Sequence, residues 1–386
     1  MGQTLTNIAE KLQNASKKVQ LIYAFNASGK TRLSRAFREL IDPKTEERDD
    51  DYHPKLLYYN AFTEDLFYWD NDLTRDTERK LCIQPNAFTK SAFEDLGLDR
   101  DVITVFQRYT QPNLTPIFNE EYKTKDKDDR EIIVPAFSEV IFTLGQDPET
   151  NPERLKISKG EESNFIWSIF YCLLDQVVST RNITEVDDRE TDQFNDLEYV
   201  FIDDPVSSLD ENHLIQLAVD VADRIKRSDT VNGLKFIITT HSPLFFNVLF
   251  NELNNKTCYM LKRLEDGGFE LEATSGDSNH SFSYHLYLKQ TLEEAIAADK
   301  IERYHFTLLR NLYEKTSNFL GYPRWSDLLP GDQRLYFNRI IQFTSHNTLS
   351  SEAIAEPSPQ EKQTVKFLLD HLCNNYSYWQ EETPNV

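Results

Sequence analysis

One stretch constrains this 386-residue chain more than any other: Tyr199-Val-Phe-Ile-Asp-Asp-Pro-Val-Ser-Ser-Leu-Asp210. Tyr199 to Ile202 are apolar or aromatic and predict a short buried strand. The strand delivers Asp203 and Asp204 to its C-terminal end, where ligands bind in an open α/β sheet. Pro205 stops it, and Ser207-Ser208-Leu209-Asp210 reads as a turn running into a helix. Adjacent acids there suit Mg²⁺, which takes one or two hard oxygen ligands beside substrate phosphates. The plainer alternative is a strand with an exposed acidic end. A phosphate-binding loop elsewhere in the chain would decide between the two.

Such a loop is present. Gln20-Leu-Ile-Tyr23 is a short apolar strand, followed by Ala24-Phe-Asn-Ala-Ser-Gly-Lys-Thr31 and the helix-like Arg32–Leu40. In this order the backbone N–H groups of Asn26, Ala27, Ser28 and Gly29 and the helix N-terminus receive phosphates. Lys30 adds charge, and the Thr31 hydroxyl can join Asp203 on Mg²⁺. Ala24 holds the place where such loops usually begin with glycine, and Gly29 is the only glycine in the loop. Lys55–Asn60 predicts another strand, ending at a polar residue within reach of a nucleotide. Leu234–His241 predicts a further buried strand. A histidine after a strand is usually structural, but in the same sheet His241 could contact a γ-phosphate. Ser158, Lys159, Gly160 and Glu161 precede a long apolar helix over 164–178, as an anion-accepting N-terminus or a simple cap.

Acidic, polar segments near 41–55, 121–132 and 181–196 read as exposed insertions. The formal charge of −22 disfavours non-specific binding to nucleic acid or an anionic membrane, so a polyanionic partner needs specific local contacts. Cys82, Cys172, Cys258 and Cys373 have no paired metal spacing and predict buried free thiols in a reducing cytoplasm. No apolar run approaches the roughly 18 residues of a membrane span.

The last third is different in charge. Residues 281–386 hold 10 Lys/Arg against 13 Asp/Glu, only −3 of the total −22. Thr291–Leu320 predicts one long helix, opened by a capping-box-like Thr291-x-x-Glu294 and closed by Gly321 and Pro323. Ile301, Leu308, Leu312 and Phe319 form one apolar line, and Phe306, Leu309, Tyr313 and Leu320 a second. Between them runs a polar stripe of Arg303, Thr307, Arg310, Glu314 and Ser317, which needs a partner or faces a cleft. Arg310 and Glu314 make a routine ion pair worth about 0.2–0.5 kcal/mol, or part of a reactive group.

Asn26–Thr31, Ser158–Glu161, Phe201–Pro205, Ser207–Asp210 and Thr240-His241 together resemble an ABC-type ATPase, in the order of its Walker A, signature, Walker B, D-loop and switch histidine. The resemblance implies an α/β ATPase head binding ATP or GTP with Mg²⁺, metal at Thr31 and Asp203, and hydrolysis involving Asp203, Asp204 and His241. Asp204 stands where such enzymes usually carry a glutamate. The resemblance also implies head-to-tail pairing of two protomers, hence a homodimer or an assembly of dimers.

Arg310-x-x-x-Glu314 followed by His346 in Phe343-Thr-Ser-His346 resembles the catalytic triad of PrrC-type anticodon nucleases. The likeness extends to Tyr58–Asp70 and Gly276-Asp-Ser-Asn279. It implies an ABC-type head over residues 1–265 and a mostly α-helical ribonuclease domain over 266–386. It further implies metal-free cleavage of lysine tRNA 5′ of the wobble nucleotide, with Asp277 and Ser278 helping to recognise the base. A type I restriction-modification complex as silencing partner, a phage-encoded activator and a thymidine nucleotide (dTTP) as effector come with the same resemblance. The residue types suit that chemistry. RNA carries its own 2′-OH nucleophile, Glu314 and His346 can share the base and acid roles in either order, and Arg310 can hold the charged phosphorane. The rival expectation is a DNA-repair or recombination ATPase of the same head type with a non-catalytic C-terminal binding domain.

Overall fold

The computed structural model describes residues 2–43, 53–70, 79–125, 130–145, 154–205, 211–229, 233–254, 257–264, 266–275, 284–331, 335–338, 340 and 357–376. The chain divides into two compact units, Met1–Ser281 and Phe282–Val386.

In the first unit, α1 (Leu5–Asn14) precedes β1 (Val19–Tyr23), α2 (Lys30–Ile41) and β2 (Leu56–Tyr59). Next come β3 (Phe67–Asp70), β4 (Lys80–Ile83), α3 (Ala87–Lys90), α4 (Asp99–Tyr109), β5 (Leu114–Phe118), β6 (Tyr122–Lys125), β7 (Glu131–Val134), β8 (Glu139–Leu144) and β9 (Arg154–Leu155). The unit closes with α5 (Lys159–Asn182), β10 (Tyr199–Asp203), α6 (Glu211–Arg227), β11 (Lys235–Thr240), α7 (Pro243–Glu252), β12 (Thr257–Arg263) and β13 (Phe269–Ser275).

The main sheet has six strands in the order β13-β12-β1-β11-β10-β2. All its pairings are parallel except the β12–β13 hairpin. β1, β10 and β11 read as near-continuous apolar runs because parallel strands are covered on both faces. Leu5, Ile8 and Leu12 of α1 join Leu33, Phe37 and Ile41 of α2 over Ile22, Phe201 and Ile237 of the sheet. The register aligns Asp203 with Thr239 and Tyr23 with Thr240, so the ends of β1, β10 and β11 meet at one edge.

A second sheet, ordered β3-β4-β8-β5 with β9 paired to β8, is antiparallel throughout. Helix α5 is the spine joining the two sheets. Its Trp167 and Phe170 pack on Tyr59 of β2, with ring centroids 5.3 and 4.9 Å away. Its Phe165 meets Phe67, Phe106, Phe118 and Phe142 around the other sheet. The charged segment near 121–132 holds β6 and part of β7, which pair antiparallel, and its residues 126–129 lie outside the described residues. All four cysteines are buried free thiols.

Two sequence expectations are corrected. The boundary expected after residue 265 falls after 281, because β13 is the hairpin partner of β12 and Phe269 bridges Gln3 near the N-terminus. The single helix expected over 291–320 is two: α8 (Tyr284–Ala297) and α9 (Arg303–Leu320). Asp299 takes a left-handed φ of 53°, and Lys300 N–H returns to the Ala295 carbonyl. Ile301 then enters the core, and the next helix opens on a box between Glu302 and His305. Thr291 is therefore interior to α8 rather than a cap.

In the second unit, Leu288 and Leu292 of α8, Leu309, Leu312 and Tyr313 of α9, and Val365, Leu368 and Leu372 of α10 (Pro359–Asn375) form one core. Phe306 is buried as expected, but Phe319 is 86% exposed and Leu320 is also exposed, while Ser317 of the polar stripe is buried. No helix among the described residues is long and apolar enough to cross a membrane.

Candidate functional site

The loop between β1 and α2 turns through two left-handed residues, Ala27 (φ 63°) and Gly29 (φ 99°). A Cβ on Gly29 would stand 2.8 Å from Cε1 of Phe269, so that position needs glycine on two counts. Ala27 bears a side chain in the same backbone region, where glycine is the unstrained residue. Lys30, at the first turn of α2, is buried. Its ammonium donates to the carbonyls of Ala24 (3.1 Å) and Phe25 (3.2 Å) and to Oδ1 of Asn26 (3.4 Å), and pairs with Asp204 at 3.5 Å. Ser28 closes the turn with its hydroxyl on the Phe25 carbonyl, 2.6 Å away.

Asp203 is fully buried at the end of β10. Its carboxylate accepts hydrogen bonds from Thr239 (2.5 Å), Ser34 (3.1 Å) and Thr31. Burial pushes this carboxyl above its ordinary range; the three hydroxyls oppose that push and the Asp204 charge adds to it. Asp204 leaves the strand with a left-handed φ of 53°. That turn carries its side chain to His241, whose Nδ1 lies 2.7 and 2.6 Å from the two carboxylate oxygens and whose N–H donates at 3.2 Å. Burial alone would raise Asp204. The hydrogen bond and charge of His241, with Lys30 behind them, overturn that and hold its carboxyl below the usual range. Neighbouring acids are thus driven in opposite directions.

These side chains fit a nucleotide with Mg²⁺. Thr31 and Asp203, already hydrogen-bonded, would hold the ion, and Lys30 and the loop amides the phosphates. Mg²⁺ there would supply charge neutralisation between phosphate oxygens.

Three supporting residues escaped the sequence reading. Ser34 holds Asp203 and also meets the Tyr58 hydroxyl at 2.8 Å, which in turn accepts from Asn60 at 2.7 Å. Thr239 is the third. Their signal is a polar residue at a position whose periodicity is apolar: Ser34 falls on the Leu33–Phe37–Ile41 face of α2, and Thr239 inside a buried strand. Asn60, expected near nucleotide, is buried and tied to Tyr58 and Thr63.

Ser158 and Glu161 form a reciprocal capping box at the N-terminus of α5, the hydroxyl accepting from Glu161 N–H (3.2 Å) and the carboxylate from Ser158 N–H (2.7 Å). Gly160 lies in that first turn, and Lys159 pairs with buried Glu162 at 2.6 Å. Trp69 donates to the same Glu162 at 2.9 Å, fixing the helix start against the second sheet.

In the second unit, Nε of Arg310 donates to Glu314 at 2.7 Å, with each side chain about one-third exposed (33% and 34%). Glu314 also lines a cavity of about 370 Å³ walled by Trp325 and Phe337. His346, Asp277, Ser278 and Asp210 lie outside the described residues. Ile340, six residues before His346, is buried in the core that holds Leu309 and Leu312 of α9.

Fold and site together define a two-unit protein: a phosphate-loop α/β unit with a metal-suited carboxylate, and a helical unit with an arginine–glutamate pair beside a cleft. No protein-family model matches the chain. It is 55% identical to the curated anticodon nuclease of Escherichia coli over an alignment of 412 residues, covering 100% of both chains. The chain belongs to the anticodon nuclease family. Among solved structures it is similar to an SMC head bound to the C-terminal winged-helix domain of ScpA (TM-score 0.34, 11% identity, 69% of this chain and 93% of that one). The SMC head domain of Thermotoga maritima gives a TM-score of 0.28 at 12% identity, covering 67% and 91%.

Proposed function

We propose that this chain is a tRNA anticodon-loop endoribonuclease gated by a nucleotide in its α/β unit. The observation that carries the reading is whole-length identity to an anticodon nuclease, joined to the Arg310–Glu314 bond at 2.7 Å beside a cleft. In this reading Glu314 removes the 2′-OH proton and His346 protonates the leaving 5′-oxygen, or the two exchange roles. Arg310 forks N–H groups toward the phosphorane, where charge grows. The products are a 2′,3′-cyclic phosphate and a 5′-OH, and no metal takes part in the cut. Lysine tRNA, opened 5′ of the wobble nucleotide and recognised with Asp277 and Ser278, is the substrate that the family likeness favours.

The gate is an ABC-type head that takes ATP or GTP with Mg²⁺. Asp204 and His241 work on hydrolysis, and Ser158–Glu161 of one protomer with Asp210 meet the nucleotide of another in a homodimer or an assembly of dimers. The proposal extends to a cytoplasmic anti-phage role: silencing by a type I restriction-modification complex, release by a phage product, and stabilisation of the active form by dTTP. End-mapping of cellular tRNA after expressing the wild type and His346→Ala tests the core. A single anticodon-loop nick from the wild type alone supports it, and identical end profiles from both reject it. Cleavage that persists when Mg²⁺ is chelated after activation supports the metal-free cut.

A further inference from the structure

We infer that the cavity beside Glu314 is a nucleobase subsite, in which an RNA base next to the scissile phosphate stacks on the Trp325–Phe337 wall. The inference rests on the ribonuclease reading and adds to it where a neighbouring base sits.

Arg310, Glu314 and Asn318 are spaced four apart on α9 and so share one face, with about 6 Å of axial rise between neighbours. Arg310 is assigned to the scissile phosphate and Glu314 to proton transfer beside it, and Asn318 lines the cavity one turn further on. The chain then reverses. Gly321 caps the helix with a left-handed φ of 78°, and Tyr322 N–H returns to the Ser317 carbonyl at 2.9 Å. This reversal brings Pro323, Arg324 and Trp325 back to line the same cavity as Glu314.

The indole is locked on two sides. Tyr313 meets it edge-on at 6.3 Å, and Phe337 stacks on it at 5.1 Å and 22°. A wall fixed in advance loses little side-chain freedom on binding. At the rim, Arg324 is held toward Asp327 by a 3.1 Å ion pair with its side chain 76% exposed.

Each component matches part of a nucleotide. The rings take a base face, the Asn318 amide offers a donor and an acceptor to a base edge, and Arg324 takes a flanking phosphate. An apolar ligand filling the cavity would leave the Asn318 amide unmatched, whereas Glu314 and Arg324 keep Arg310 and Asp327. At about 370 Å³ the cavity lies within the size range of small-ligand clefts. The competing account is that Trp325 and Phe337 only finish the core on which both are packed.

The test uses the full chain and anticodon stem-loops carrying an uncleavable 2′-deoxy nucleotide at the cut. Stacking of one base predicts that Phe337→Ala weakens binding about 5- to 150-fold, with Phe337→Tyr restoring it. An abasic nucleotide on one side of the cut should cost the wild-type chain a similar factor. Combined with Phe337→Ala, it should cost little more. Losses that multiply at both flanking positions overturn the subsite, as does an abasic loop that binds the unmutated chain undiminished. That abasic result decides even where Phe337→Ala fails to fold. If the wild-type chain prefers the anticodon loop to an unrelated hairpin by no margin, the ribonuclease reading fails first and takes the subsite with it.

Discussion

Asp203 and Glu314 are carboxylates in opposite settings. Asp203 is fully buried, and the hydroxyls that hold it come from α2 and β11 as well as from the helix start beside the phosphate loop. Glu314 is one-third exposed, and its bond to Arg310 comes from its own helix. The first site is assembled by a sheet that brings distant segments together, so changes there alter stability and chemistry at once. The second is a helical stripe at a cleft, where, under the proposed function, a change removes chemistry and leaves the fold intact.

Glu314→Gln sharpens this contrast most. Loss of a general acid–base partner predicts a 10²–10⁴-fold fall in tRNA cleavage, read by single-turnover nicking, with the melting temperature unmoved. A large drop in melting temperature would place Glu314 in the framework instead.

Lys30→Ala probes the other side. Nucleotide hydrolysis should fall about 10²–10³-fold, as when one electrostatic contact to developing charge is lost. Melting should shift as well, because Lys30 joins the loop carbonyls to Asp204.

The neighbouring acids predict opposite signs. The raised carboxyl of Asp203 binds its proton more tightly folded than unfolded. Its contribution is therefore fullest below the unfolded value and is lost as pH rises through the raised one. Asp204 is depressed, so its contribution is present above the unfolded value and is lost as pH falls through the lowered one. At pH 7 without nucleotide, Asp203→Asn should stabilise and Asp204→Asn destabilise in denaturant titrations. Both variants shifting the same way would break this assignment. The smallest effect belongs to the loop. Ala27→Gly relieves a left-handed alanine and should stabilise by about 0.5–1 kcal/mol in the same titration.

Much of the first site was legible because its signals are local: a strand, a glycine-lysine-threonine turn and a helix, or a strand ending in acids. The α5 cap was equally plain in Ser158 and Glu161. What stayed hidden was tertiary. Ser34 and Thr239 matter through Asp203, far off in sequence, and their residue types carry no motif. The break between α8 and α9 contains neither glycine nor proline; Asp299 adopts the left-handed turn and burial of Ile301 fixes it. The same competition explains Phe319, whose helical phase matched Leu312 but whose position in the last turn lies beyond the packed helices. The cleft wall of Trp325 and Phe337 was illegible for a similar reason, since twelve residues separate rings that stack.

In the proposed function the nucleotide unit licenses the RNA cut, and Glu314 serves the cut alone. The direct measurement assays tRNA cleavage and nucleotide hydrolysis side by side in the wild type, Lys30→Ala and Glu314→Gln. The account predicts that Lys30→Ala loses both activities while Glu314→Gln loses cleavage and keeps hydrolysis at the wild-type rate. Nicking by Lys30→Ala at the wild-type rate, whether or not nucleotide is supplied, would contradict it.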